Sequence, residues 1–128
     1  MTDNQNPLSP HLQIYRWHIS SLLSITHRIS GVINLFALIL IFFWLLVLSF
    51  GEINYESFLL LINSFIGKFF LIGFTWSMSF HLLSGLRHLI WDFGYGFEIK
   101  TANISGIIVI ISSLILTVIF WIMGRGLV

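Results

Sequence analysis

Between Ile29 and Gly51 the chain runs for 23 residues without a charged side chain, and between Thr101 and Gly124 for 24. A helix needs about 20 mainly apolar residues to cross the hydrocarbon core of a bilayer. Two such runs in a chain of 128 residues make it a membrane protein before any residue is given a role. Composition agrees, with 9% charged residues and a mean hydropathy of +0.96, where a soluble domain carries about a quarter charged residues. The expected fold is an all-α membrane protein, with three transmembrane helices and an N-terminal interfacial arm, in one membrane-anchor domain over 1–128.

Residues 1–20 are polar and include Pro7 and Pro10. Pro10 disfavours helix at Ser9, so this segment reads as an extended arm, with Tyr15 and Trp17 suited to a half-wet interface. The polar start, Met1 to Asn6, lacks arginine and matches neither a signal peptide nor a transit peptide. The chain is therefore expected to be bacterial, made inside an organelle, or already processed. The first span is expected over about 21–50, with Ser20 and Ser21 as candidate N-caps. Gly51 to Glu56 reads as a loop, and the short apolar run 58–66 as lying at or near the interface. The second span is expected over about 67–91, with Lys68 snorkelling outwards and Phe93-Gly94-Tyr95-Gly96 ending the helix. The third is expected over about 102–124.

Three spans place the termini on opposite sides. Arg16 and Arg28 flank the first span, and Arg87 and Lys100 flank the second loop, whereas the first loop carries Glu52 and Glu56. The positive-inside rule then puts the N-terminus and the second loop on the cytoplasmic or matrix side. The start of the first helix and the end of the second share that face. With no cysteine, the chain offers no disulfide, thiolate metal site or iron–sulfur ligand. A net charge of +1 without a basic patch gives no sign of nucleic-acid binding.

Two polar stripes interrupt this apolar pattern. Ser24, His27, Arg28 and Gly31 fall at i, i+3, i+4 and i+7, and so do His81, Ser84, Gly85 and His88; on a helix each set shares a face. His81 lies ten residues before Trp91, roughly 15 Å inside that boundary. An ionisable group at such depth needs a partner or a function. A structural hydrogen bond to a neighbouring helix is one answer. Haem ligation is favoured, because histidine is a common metal ligand and Gly85 leaves room for a flat macrocycle. His81 and His88 are roughly 10 Å apart along one helix and do not clamp one iron, so a second ligand comes from His27 or from another chain. Arg28 needs a counter-charge, from a haem propionate or another subunit, unless it snorkels to the headgroups. With Ser24 at i, i+4 it makes a donor pair around a carbonyl, which suits a quinone head group. Arg87 and Asp92 are candidates to pair at the interface. Ser105, Ser112, Ser113 and Thr117 read as small packing residues of a structural third helix.

Two segments also carry a specific resemblance. The first is Ser9-Pro10-His11-Leu12-Gln13-Ile14-Tyr15 followed by Ser24-Ile25-Thr26-His27-Arg28-Ile29-Ser30-Gly31. The second is His81-Leu82-Leu83-Ser84-Gly85-Leu86-Arg87-His88-Leu89-Ile90-Trp91-Asp92. Together they resemble the cytochrome b subunits of succinate dehydrogenase, the larger of the two membrane anchors of respiratory complex II. The likeness implies a b-type haem shared with a second small membrane-anchor subunit, which supplies the other ligand. It implies His81 as this chain's axial ligand to the haem iron, Ser24 and Arg28 at the ubiquinone site, and His27, Arg28 and His88 near the haem propionates. It further implies partnership with an iron–sulfur subunit and a flavoprotein subunit, in an inner membrane, passing electrons from succinate oxidation to ubiquinone as substrate. By itself such a chain is not a complete enzyme. A purely structural membrane anchor and a fumarate reductase anchor are the competing readings; a di-haem cytochrome lacks enough suitably placed histidines.

Overall fold

Three of the four helices in the computed structural model, which describes residues 16–126, are long and apolar enough to cross a membrane. They are α1 (Ile19–Ser49), α3 (Phe65–Asp92) and α4 (Ile99–Gly126); a shorter α2 (Glu52–Asn63) lies between the first two. This is the all-α membrane architecture expected. The expected arm lies outside the described residues as far as Tyr15. Arg16 and Trp17 are exposed and non-helical.

The helix ends differ from expectation in two places, each for a local reason. α1 starts at Ile19 with His18 in the N-cap position, so Ser20 and Ser21 lie inside the helix rather than capping it. The His18 carbonyl accepts from the amides of Ser21 and Leu22. The expected loop 51–56 is helical from Glu52 onwards. Gly51 alone makes the turn, at φ 96°, where a side chain would be strained. Glu52 then sits in the first turn of α2, where its charge complements the helix dipole, and Asn54 donates back to the Phe50 carbonyl at 3.1 Å. α2 breaks at Ser64, which is extended and caps α3 by accepting from the Gly67 amide at 3.1 Å. A Cβ on Gly67 would collide with the backbone of Leu61 and Ile62, so glycine is what lets α3 begin so soon.

α3 is the central element, packed against both α1 and α4. The interior inverts the soluble pattern. Among the described residues the buried apolar side chains are Leu23, Phe80 and Val109, and they are outnumbered by Ser30, Ser77, Ser79, Ser84, Arg87, Ser113 and Thr117. Large apolar side chains point outwards instead. Lipid offers them the same environment as a core, so small and polar residues gain most from facing another helix. Gly106 of α4 meets Leu23 so closely that a Cβ there would overlap it. Two indoles tie α3 to α4: Trp76 Nε1 donates to Ser113 Oγ at 3.2 Å, and Trp121 Nε1 to Thr75 Oγ1 at 3.3 Å. Both tryptophans thus act between helices rather than as simple lipid anchors.

Candidate functional site

The start of α1 and the end of α3 lie side by side, as the topology requires, and the two polar stripes meet there. The ring of His27 stacks on that of His81, with centroids 4.1 Å apart and planes 9° from parallel. His27 also lies 5.2 Å from the His88 ring, and His88 meets Trp91 edge-on at 5.1 Å. A ladder of rings therefore runs from the deep His81 towards the end of α3.

Proton accounting fixes the state of His81. Its Nδ1 lies 3.0 Å from Ser30 Oγ and 3.2 Å from the carbonyl oxygen of His27. A carbonyl only accepts, so Nδ1 carries the proton. The Ser30 hydroxyl spends its own proton on the same His27 carbonyl at 2.7 Å, so towards His81 it is also an acceptor. His81 is the Nδ1–H tautomer, and its Nε2 keeps an in-plane lone pair with no hydrogen-bond partner among the described residues. Metal-ligating histidines commonly show this pattern, with one nitrogen donating to a carbonyl and the other left for the metal. His88 is fixed in the same way, since its Nδ1 donates to the Ser84 carbonyl at 2.7 Å.

The stacking removes one candidate second ligand. Imidazole lone pairs lie in the ring plane, and two nearly parallel rings 4.1 Å apart aim them along parallel planes rather than at one point between them. His27 therefore does not complete an iron site with His81. Among the described residues no group of three His, Asp or Glu side chains is arranged to hold a bare metal ion. Two buried polar atoms beside the ladder, Nδ1 of His27 and Oγ of Ser84, have no hydrogen-bond partner among the described residues, at a cost of about 1–3 kcal/mol each when left unmet. A side chain at Gly85 would meet nothing within 4 Å, so that position is open. The glycine that touches the ligand candidate is Gly31, where a Cβ would lie 3.3 Å from Cε1 of His81.

Ser24 and Arg28 line a cavity of about 380 Å³, with Ser20, Ser21, Ile25, Arg87, His88 and Trp91. That falls within the roughly 300–1,000 Å³ typical of small-molecule sites. Arg28 is exposed and makes no hydrogen bond or ion pair among the described residues, and Ser24 is half-buried with its hydroxyl unspent. The contrast with its neighbours is informative. Thr26 and Ser30 on the same helix both turn back to backbone carbonyls, the usual fate of a membrane serine or threonine. A larger cavity, about 600 Å³, lies at the other end of α3 and α4 beside Lys68 and Trp121. Size alone does not select it, because among the described residues it gathers no histidine and no arginine.

Arg87 departs from expectation. It does not pair with Asp92. It is 5% exposed and crosses to α4, donating from Nε to Ser105 Oγ at 2.9 Å and from Nη2 to the Ala102 carbonyl at 2.8 Å. Its guanidinium lies 4.0 Å from the centre of the Trp91 ring. Ser105, taken as a packing residue, is thus an acceptor for a buried cation. Three further residues have no role in the sequence reading. Ser77 is fully buried, and its hydroxyl lies 3.1 Å from the Ser30 carbonyl and 2.9 Å from Asn34 Oδ1. Ser30, Asn34 and Ser77 together support the floor under His81.

The family described as succinate dehydrogenase/fumarate reductase transmembrane subunit matches residues 2–120. The chain is 47% identical over 119 residues to the succinate dehydrogenase cytochrome b556 subunit of Rickettsia prowazekii, covering 93% of each. It is 38% identical to the cytochrome b556 subunit of Paracoccus denitrificans, covering 88% of this chain and 86% of that one. It is 34% identical to the mitochondrial cytochrome b560 subunit of Mus musculus, covering 86% of this chain and 66% of that one.

Proposed function

The chain belongs to the succinate dehydrogenase/fumarate reductase transmembrane subunit family, and from that premise we propose how it carries its half of a redox site. It is a membrane-anchor subunit of succinate dehydrogenase, respiratory complex II. In the proposed reading it works beside a second, smaller anchor, an iron–sulfur subunit and a flavoprotein subunit. Electrons from succinate oxidation then reach ubiquinone, linking the tricarboxylic acid cycle to the respiratory chain. The membrane is the bacterial cytoplasmic or mitochondrial inner membrane. The N-terminus faces the cytoplasm or matrix, as the placing of Arg16, Arg28, Arg87 and Lys100 against Glu52 and Glu56 supports.

The residues fit a b-type haem. The observation that carries this reading is His81, held as the Nδ1–H tautomer with Nε2 unpaired. The orphaned His27 Nδ1 and Ser84 Oγ and the open face at Gly85 add to it. His81 would hold the iron from this chain and the smaller anchor would supply the other ligand. When bound, the haem supplies a one-electron redox centre. His27, Arg28 and His88 are the donors nearest to hand for its propionates.

Ser24 and Arg28 form the quinone wall. Reduction of a quinone takes two electrons and two protons and builds negative charge on its carbonyl oxygens before the protons arrive. A permanently charged guanidinium and an unspent hydroxyl lining one cavity favour that charge more than the neutral ring. They also orient the ring. Trp91 and Ile25 supply apolar wall.

Replacing His81 by Ala is expected to remove the b-type absorption from the purified complex. Arg28→Ala is expected to slow quinone reduction about 10- to 100-fold, the loss of one charge-assisted hydrogen bond, while succinate oxidation by a soluble artificial acceptor continues. An unchanged spectrum in the first variant removes His81 as ligand. An equal fall of both activities in the second removes Arg28 from the quinone site.

A further inference from the structure

We propose that Ser30 is a positioning residue for His81, and that its hydroxyl lowers the reduction potential of the haem that His81 ligates. The proposal rests on the axial-ligand reading above and goes beyond it. Ser30 is buried at 3% exposure. Its hydroxyl hydrogen is committed to the His27 carbonyl at 2.7 Å, so the lone pair turned to His81 Nδ1 at 3.0 Å has one role available, to accept. The oxygen cannot rotate to donate to Nδ1 without giving up the shorter bond. The ring is therefore told which nitrogen is protonated and how it is turned.

The support beneath Ser30 is itself built. The buried Ser77 hydroxyl reaches the Ser30 carbonyl at 3.1 Å and Asn34 Oδ1 at 2.9 Å. Ser77 is one turn from His81 on α3, so the same two turns of helix deliver the ring and the clamp on its acceptor. Next to Ser30, Gly31 removes the side chain that would press on Cε1 of His81 at 3.3 Å. Hydrogen-bond acceptor on one side and missing Cβ on the other define one ring orientation.

The electronic consequence has a definite sign. Pulling the Nδ1 proton towards an acceptor raises electron density at Nε2 and makes the ring a better donor. A better donor favours ferric over ferrous iron, so the hydrogen bond lowers the potential. Losing it is expected to cost on the order of tenfold in that preference, which for a one-electron couple is about 59 mV upwards. The His27 carbonyl at 3.2 Å still accepts in such a variant, so the ring remains a ligand.

The test is a redox titration of the haem in the purified complex carrying Ser30→Ala, Ser30→Cys or Ser30→Thr, with His81→Ala alongside. Ser30→Ala is expected to keep haem and raise its potential, and Ser30→Thr, which restores the hydroxyl, to return it. Ser30→Cys keeps the volume but accepts weakly, and its potential is expected to fall between serine and alanine; it also stands in if the alanine variant does not assemble. Potentials unchanged in both Ala and Cys variants, while His81→Ala abolishes the b-type band, overturn the role of Ser30 and leave the ligand in place. A b-type band that survives His81→Ala overturns the ligand reading and this inference with it.

Discussion

Arg87 is the most buried cation among the described residues, and its partners lie on another helix, which makes its worth measurable. Nε meets Ser105 Oγ at 2.9 Å and Nη2 meets the Ala102 carbonyl at 2.8 Å, with the Trp91 ring 4.0 Å away. Hydrogen bonds to charged groups contribute about 1.5–3 kcal/mol each, and a partly desolvated cation–π contact about 1 kcal/mol. Removing the guanidinium also relieves the cost of burying a charge, so Arg87→Ala is expected to destabilise by about 2–4 kcal/mol. Ser105→Ala leaves Nε without its acceptor. It also frees the Ala102 carbonyl, to which Ser105 itself donates at 3.1 Å, so part of the loss is recovered. Their coupling is therefore expected at the lower end, about 1.4 kcal/mol. Membrane complexes seldom unfold reversibly, so the assay is the rate of heat inactivation of the purified complex for both single variants and the double. In rate, 1.4 kcal/mol is about tenfold. The double variant is expected to inactivate about ten times more slowly than the product of the two single effects predicts. Single effects that simply multiply would refute the Arg87–Ser105 bond as an energetic contact.

The close approach of α1 and α4 gives a second expectation. Gly106→Ala is expected to lower stability by about 1–3 kcal/mol through overpacking against Leu23, and Leu23→Ala in the same chain to restore part of it, read from the amount of complex recovered from membranes. Gly31 gives a third. Gly31→Ala puts a methyl 3.3 Å from His81 Cε1 and is expected to shift the haem spectrum with haem retained, whereas Gly31→Val is expected to lose haem; identical spectra for both would separate Gly31 from the ligand.

Much of this was legible in the sequence because a bilayer leaves few choices. Uncharged runs near the length of a span become helices, and polar residues inside them stand out. His27, His81 and His88 were identified from spacing, and the structure brings their rings together. Asn34 and Ser77, which sequence reading passed over, lie on the same stripes extended by a turn, Asn34 at seven residues from His27 and Ser77 at four before His81, and Ser30 stands in the quoted motif without a role of its own. Serines in membrane helices usually bond to their own backbone; Ser79 and Thr117 do so here, while Ser30 and Ser113 do so and also meet a side chain of another helix. Which serine also reaches across depends on the rotation of one helix against another, and periodicity does not carry that. Arg87 is the same case. Its spacing from Asp92 is visible in the sequence, but its proximity to Ser105 requires the turn at Gly94 and Gly96, whose φ angles of 87° and 82° bring α4 back alongside α3. The helical start at Glu52 was hidden by composition, because a Gly-Glu-Ile-Asn stretch between two spans looks like a loop. One positive φ at Gly51 makes the whole reversal and releases the next residues to be helix.

The stacked pair of histidines bears on assembly as well as ligation. Had His27 faced His81 across a gap, one chain would hold a complete bis-histidine site and fold around it alone. Stacked at 4.1 Å, the two rings do not converge on one iron, and they leave the His81 Nε2 lone pair and two buried polar atoms without a partner among the described residues. In the proposed arrangement those atoms and that lone pair are met only when the haem and the smaller anchor arrive. Binding energy for a group shared between two chains then becomes association energy for the chains. Exposed apolar side chains such as Leu82, Leu86 and Leu89 gain little by leaving lipid for a partner helix, so in that proposed arrangement shared polar and metal contacts, rather than apolar burial, would select the partner.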